Sequence, residues 1–236
     1  MKKIFKRFIA FVIIICGFWY MFDHIASKSK GEEVKESVLN FSKENKAETI
    51  ENNDGDDKLV LVNEEHELDK NFKPKDLTIP NITFVHGTSN EEKHVSEIIK
   101  EPLEGLFDAA KKDGITLLGN SGYRSYKSQE NTYNNRVKSQ GENIADSYVA
   151  RPGSSEHQTG LCIDVTNQKQ SFVKGTKEAE WLDKNCYKFG FIIRYPYGKK
   201  YITGIEYEPW HIRYVGKDAA KYIHDNGITL EEYLEK

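Results

Sequence analysis

The sequence predicts an α+β domain joined to a membrane by its amino terminus, and three observations support this. Amphipathic segments with helical spacing alternate irregularly with short apolar runs of strand length, no repeat recurs, and a basic then apolar stretch opens the chain. Of the 236 residues 38% are hydrophobic and 12% aromatic, too many for a disordered polymer. A formal net charge of -3, without a stripe of Lys and Arg interleaved with aromatics, gives no surface for a phosphate backbone, so nucleic acid is excluded as a partner. The three cysteines, Cys16, Cys162 and Cys186, form no CxxC pair, which excludes a thiolate zinc finger and a disulfide scaffold. Any metal must then be held by His and carboxylate.

Residues 1–26 read as a cytoplasmic tip and signal anchor. Lys2, Lys3, Lys6 and Arg7 precede the uncharged run from Phe8 to Phe22. Its length of about 22 Å falls short of the roughly 30 Å hydrocarbon core, so snorkelling basic side chains must extend the span. No small-x-small cleavage site follows cleanly. This favours an uncleaved single-pass anchor over a cleaved signal that releases a secreted chain. The basic residues put the amino terminus in the cytoplasm and the remaining chain outside. Residues 27–57 carry nine acidic residues against five lysines and few large apolar side chains, the composition of a flexible solvated stalk. The folded domain is then 58–236.

Within it, Leu59–Val60–Leu61–Val62 reads as a short buried strand. Ile98, Leu103, Leu106, Phe107 and Ala110 recur at helical spacing, and Pro102 suits a first turn, which predicts a helix from about Glu101 to Lys112. Gly114 ends it, and Ile115–Leu118 reads as a strand delivering Ser121–Gly122–Tyr123–Arg124–Ser125 at its exit. Ala179, Trp181, Leu182, Cys186 and Phe189 predict a second amphipathic helix closed by Gly190, followed by a strand over Phe191–Arg194. With no Gly-rich phosphate loop and no GxSxG elbow, nucleotide binding and serine hydrolysis lack support.

Of the seven histidines, His24, His66, His86, His94 and His224 stand in polar contexts and read as surface residues. His157 lies in a turn-rich segment that passes into an apolar strand ending in Asp164. Neither a helix nor a straight strand lets residues seven apart reach one ion, but a bend at Gly160 can make them converge. His211, with Glu208 three residues before it, is the third candidate ligand. Two imidazoles and one carboxylate leave tetrahedral Zn2+ an open position for water, whose pKa the metal lowers to about 7, and Glu208 would accept that water's proton. Spacing alone leaves the plainer reading open, in which Asp164 is a hydrogen-bonded structural residue and His211 packs beside Trp210.

The ordered set Ser155, His157, Gly160, Asp164, then Glu208 and His211, resembles the pattern Ser-x-His-x-x-Gly-x-Ala-x-Asp followed by Glu-x-x-His of the VanY-type zinc D-alanyl-D-alanine carboxypeptidases, which share a fold with L,D-carboxypeptidases. Cys162 replaces the usual Ala. The resemblance extends over Ser121–Ser125 with Gln129, Arg151–Pro152–Gly153, Gly190 to Pro196 and Arg213–Gly216, about 58–236 in all. It implies a small, mostly antiparallel sheet with flanking helices of the Hedgehog/D,D-peptidase kind. It also implies zinc held by His157, Asp164 and His211, with Glu208 as general base and acid. Arg124 would meet the developing oxyanion or the substrate carboxylate, and Ser155, Gln129, Tyr123 and Trp210 would hold the peptide. The implied partner is a peptidoglycan stem peptide or its precursor outside a bacterial cell membrane, with D-alanine as the residue removed. Two rivals are an L,D-carboxypeptidase acting on tetrapeptide stems and a non-catalytic, zinc-stabilised wall-binding module. Cys162 and Cys186 both fall where Ala is common in the family. They read either as a disulfide or as two separate buried thiols.

Overall fold

The computed structural model describes residues 58–235, so the predicted anchor and stalk lie outside the described residues. Among the described residues no helix is long and apolar enough to cross a membrane. The chain first forms β1 (Leu77–Thr78) and β2 (Val95–Ser96), an antiparallel pair, and runs from β2 into α1 (Glu97–Lys112). There follow β3 (Leu118–Ser121), α2 (Tyr126–Gln140), α3 (Glu142–Tyr148), a 3-10 turn over Glu156–Thr159, and β4 (Cys162–Thr166). The remainder comprises α4 (Lys177–Asn185), a second 3-10 turn over Cys186–Phe189, β5 (Phe191–Ile193), α5 (Lys200–Thr203), β6 (His211–Tyr214), α6 (Lys217–Asn226) and α7 (Leu230–Leu234). Strands β3, β4, β6 and β5 lie in that order in one antiparallel sheet.

Helix α1 begins four residues before the predicted start and contains Pro102. Proline forfeits one hydrogen bond to the preceding turn, but the added turn buries Ile99 completely and extends the stripe through Leu103, Leu106 and Ala110. The strand expected over Ile115–Leu118 starts only at Leu118, opposite Thr166. Ile115 and Leu117 are buried in the core before any pairing begins. The strand expected over Leu59–Val62 does not form. Leu59 and Leu61 pack on one apolar cluster and Val60 on another, while the carbonyls of Lys58 and Val60 accept hydrogen bonds from Arg213 Nη2 at 3.0 and 2.8 Å. Burial and a buried cation thus replace a ladder.

The second predicted helix is α4 continued by the 3-10 turn, and Gly190 closes it at φ +87°. Cys186 lies in that turn and Cys162 opens β4. Both are free, buried thiols, so the bridging alternative is not realised. The main core lies between the sheet and helices α1 and α4, and a smaller cluster joins Ile192 and Val215 to Ala220, Ile223 and Leu230 of the last two helices.

Four buried charged side chains form one network. Glu156 Oε1 accepts from Arg194 Nε at 2.7 Å and Arg213 Nη1 at 2.6 Å, and Arg194 makes a paired contact with Glu231 of α7 at 2.8 and 2.6 Å. Both arginines are 0% exposed.

Between the 3-10 turn and β4 the chain reverses at Gly160, whose φ is +69° and whose carbonyl accepts from Ser96 N at 2.9 Å. A Cβ there would come within 2.9 Å of Ser96 N. Left-handed backbone costs an L side chain about 1–3 kcal/mol before that collision is counted. Gly160→Ala is therefore expected to lower unfolding free energy by at least that amount in urea titration. An unchanged midpoint would show that the bend tolerates a side chain.

Candidate metal centre

Strands β4 and β6 place Asp164 directly opposite His211, and Ile163 opposite Ile212. Side chains alternate across a pleat, so the isoleucines enter the core while Asp164 and His211 share the other face. The bend at Gly160 brings His157 to that same face, as its position in the sequence requires. His157 Nε2 lies 3.5 Å from Asp164 Oδ2, His211 Nδ1 lies 3.1 Å from Asp164 Oδ1, and the two imidazole centroids are 5.0 Å apart. Glu208, in the turn before β6, puts Oε2 3.8 Å from His211 Nδ1.

The outward nitrogens are fixed from behind. His157 Nδ1 is 2.6 Å from the Gly122 carbonyl, which makes Nδ1 the protonated nitrogen and leaves Nε2 with a lone pair for a metal. His211 Nε2 faces Glu156 Oε2 at 3.6 Å. Asp164 Oδ1 is buried with no well-aligned hydrogen bond, its near neighbour being His211 Nδ1 at 3.1 Å, so a cation placed there would be favoured.

Electrostatics agree. Burial, aided by the Arg124 charge, pushes the His157 pKa down to about 3, so its ring is neutral as a metal ligand must be. Burial opposes ionisation of Asp164, yet His157 and His211 hold its carboxyl well below the usual range. His211 is raised well above an ordinary imidazole: burial disfavours its charge, but the carboxylates of Asp164 and Glu156 outweigh this. Burial pushes Glu208 up to about 8 despite the His211 charge. The donor set fits a divalent cation.

Cys162 creates a second, overlapping set, because ligand atoms of His157, Cys162 and His211 lie within 4.8 Å of one another. The two sets face differently. Asp164 lines an open cleft of about 840 Å³ together with His157, His211 and Glu208, whereas Cys162 is 0% exposed and burial raises its thiol pKa. A hard carboxylate facing solvent is the better partner for a catalytic ion, which needs an open position for substrate.

Arg124, Gln129, Ser155 and Trp210 line the same cleft. Arg124 Nε is buried without a hydrogen-bond partner. Gln129 donates Nε2 to the Ala150 carbonyl at 2.7 Å, which leaves Oε1 as a buried, unmatched acceptor. Ser155 precedes the 3-10 turn without capping it, so its hydroxyl is not used by the turn backbone. Trp210 both lines the cleft and packs on the core. Tyr123 is buried and stands outside the cleft lining, with its backbone N–H on the His94 carbonyl at 2.7 Å. Glu156, Tyr195 and Arg136 were not among the expected site residues. Glu156 stands behind His211, the Tyr195 ring centroid is 5.0 Å from that of His211, and Arg136 lines the cleft. The legible signal was a pair of arginines inside apolar strand sequence, Phe-Ile-Ile-Arg and His-Ile-Arg-Tyr, which demand a buried acid.

Comparison with known proteins agrees with this geometry. Residues 92–217 match the family model described as VanY: D-alanyl-D-alanine carboxypeptidase. The putative carboxypeptidase YodJ of Bacillus subtilis (strain 168) is 46% identical over 194 residues, covering 80% of this chain and 70% of that protein. Among solved structures, the LdcB LD-carboxypeptidase superposes with a TM-score of 0.72 at 44% identity, covering 78% of this chain and 88% of its own. The vancomycin-resistance D,D-pentapeptidase VanY of the VanB-type cassette, in complex with Zn(II), gives 0.64 at 37% identity, with 75% and 98% covered.

Two outcomes are expected. Cys162→Ala retains one zinc per chain by elemental analysis while Asp164→Asn loses it, and the reverse pattern would assign the ion to the thiol set. At pH 7 the cation-free site holds a proton on His211, whose pKa is raised, and most of a proton on Glu208, whose pKa is about 8. A divalent ion displaces the first and disfavours the second, so zinc uptake should release about one to two protons per ion. Calorimetry in buffers of different ionisation enthalpy measures this, and zero release contradicts the assigned protonation states.

Proposed function

The chain belongs to the VanY family of D-alanyl-D-alanine carboxypeptidases, and from that membership we propose that it uses zinc to remove the carboxyl-terminal D-alanine from peptidoglycan stem peptides or their precursors. The observation that carries the reading is Glu208, a carboxylate set 3.8 Å from His211 Nδ1 at the mouth of the donor set. Metal binding alone does not need it, which counts against a non-catalytic wall-binding module.

His157, Asp164 and His211 would hold the ion, which would supply a Lewis acid and lower the pKa of the attacking water. Glu208 takes a proton from the attacking water and returns it to the leaving amine nitrogen. The low-polarity surroundings that raise its pKa also make its carboxylate a stronger base than a solvated one. Arg124 brings a permanent charge and an unmatched buried Nε to the same cleft, where its planar fork can meet the developing oxyanion or the terminal carboxylate.

A second reading, an L,D-carboxypeptidase on tetrapeptide stems, is favoured by the higher identity and TM-score of the LdcB LD-carboxypeptidase. The donor set serves both reactions equally, because stereochemistry is selected by the walls of the cleft and not by the metal. The basic and apolar amino terminus supports a further part of the proposal, that the domain is tethered on the outer face of the cell membrane beside this substrate.

Purified zinc-loaded protein incubated with a pentapeptide ending in D-Ala-D-Ala is expected to release free D-alanine, read by mass spectrometry. Release from the tetrapeptide stem alone would select the L,D reading. Glu208→Gln should keep its zinc and lose about 10² to 10⁴ in kcat. Near-normal kcat in a fully zinc-loaded variant would remove Glu208 from the chemistry.

A further inference from the structure

Along one wall of the cleft, α2 presents a polar stripe that the hydrolytic chemistry leaves unused. Gln129, Thr132, Arg136 and Gln140 all line the cleft. Their spacings of three, four and four residues put them on one helix face. Most other charged residues of α2, Lys127, Glu130 and Lys138, stand outside the lining, and Lys127 pairs with Glu130. Arg136 donates Nη1 to Gln140 Oε1 at 2.9 Å, and among the described residues it forms no ion pair. The acids of the adjoining helix, Glu142 and Asp146, are engaged by Arg151, and Glu206 is engaged by Lys200. On this wall, then, stands a cation that forms no ion pair among the described residues and is held by the Gln140 amide.

The extent of that wall identifies what meets it. A carboxypeptidase substrate has one residue beyond the scissile bond and a longer chain before it. The cleft is also lined by Gln140, Ile144 and Tyr148 beyond Gln129, and the amino-terminal side of the peptide is the part of the substrate long enough to meet that lining. Arg136 is seven residues beyond Gln129, about 10 Å along the helix axis, which an extended peptide covers in about three residues.

We propose that Arg136, supported by Gln140, forms an anion subsite for a free carboxylate carried by the substrate about two to four residues before the scissile bond. The enzyme would thereby favour acidic stem peptides over forms in which that carboxylate is amidated. The proposal rests on the peptidase reading and deepens it by naming a chemical feature of the substrate.

The test is steady-state kinetics of the zinc-loaded full chain on peptides ending in D-Ala-D-Ala, made in pairs that differ only by carboxylate or carboxamide at each of those positions. At one position the carboxylate form is expected to show a kcat/KM about fivefold higher, the scale of a solvent-accessible ion pair, with the difference carried by KM. Added salt should shrink it. Arg136→Gln should erase the preference, and Arg136→Lys should keep part of it. Equal constants for every pair in the wild-type protein, or a preference that survives Arg136→Gln, would overturn the subsite. Failure of the wild-type protein to cleave either member of any pair would instead refute the D,D-carboxypeptidase reading beneath it.

Discussion

A carboxylate shut away from water must be matched by cations, and Glu156 is matched by two. Its Oε1 takes hydrogen bonds from Arg194 and Arg213, which arrive from the exit of β5 and the middle of β6. Arg194 continues to Glu231 in α7, and Arg213 continues to the carbonyls of Lys58 and Val60. One buried acid thus fixes the start of the domain, two strands and the last helix against the segment that carries His157. Despite the cost of burial, the arginines hold Glu156 well below the usual carboxylate range. By linkage, that stabilisation is present above the ordinary glutamate pKa near 4.3 and is lost as acid protonates the group. Removing one partner of such a network costs about 3–5 kcal/mol, because the charge left behind has no water to return to.

The same network sets the metal centre. Glu156 Oε1 is spent on the arginines, while Oε2 faces His211 Nε2 and has no hydrogen-bond partner. The other imidazole nitrogen is thereby turned to Asp164 and the cleft. The carboxylates of Asp164 and Glu156 flank one imidazole and raise its pKa against the cost of burial. A ligand held from behind does not have to be ordered when an ion binds.

Much of this was legible in the sequence, and the exceptions have identifiable causes. His157, Asp164, Glu208 and His211 could be named as candidates because they are conspicuous chemistry in turn-rich or apolar surroundings with a bend offered at Gly160, but spacing left a structural reading open and the resemblance to the VanY-type family supplied their roles. Helix α2 gave no such signal: only Gln129 and Tyr133 are buried on it, so its cleft-lining face is written in polar residues that hydrophobic periodicity cannot detect. The run Leu59–Val62 was misleading for the opposite reason, since its apolar residues serve two clusters without joining a sheet. Helix α1 began early because propensity at Pro102 yielded to the burial of Ile99. In each case a tertiary partner far along the chain decided the outcome.

Position 162, where the resemblance implies Ala and this chain has Cys, shows how the strand pleat separates chemistry from packing. Cys162 and Asp164 are two residues apart on β4, hence on the same face and about 6.6 Å apart along it. Opposite them on β6 lie Arg213 and His211 in register. The inner pair, Cys162 with Arg213, belongs to the fully buried layer organised by Glu156. The outer pair, Asp164 with His211, belongs to the cleft. A thiol added to the inner layer fills volume beside His211 but reaches no solvent, and burial keeps it protonated. The carboxylate one step outward is ionised and meets the open cleft. A single step of the pleat therefore decides which donor faces substrate, and it allows position 162 to change without moving the residues on which the reaction depends.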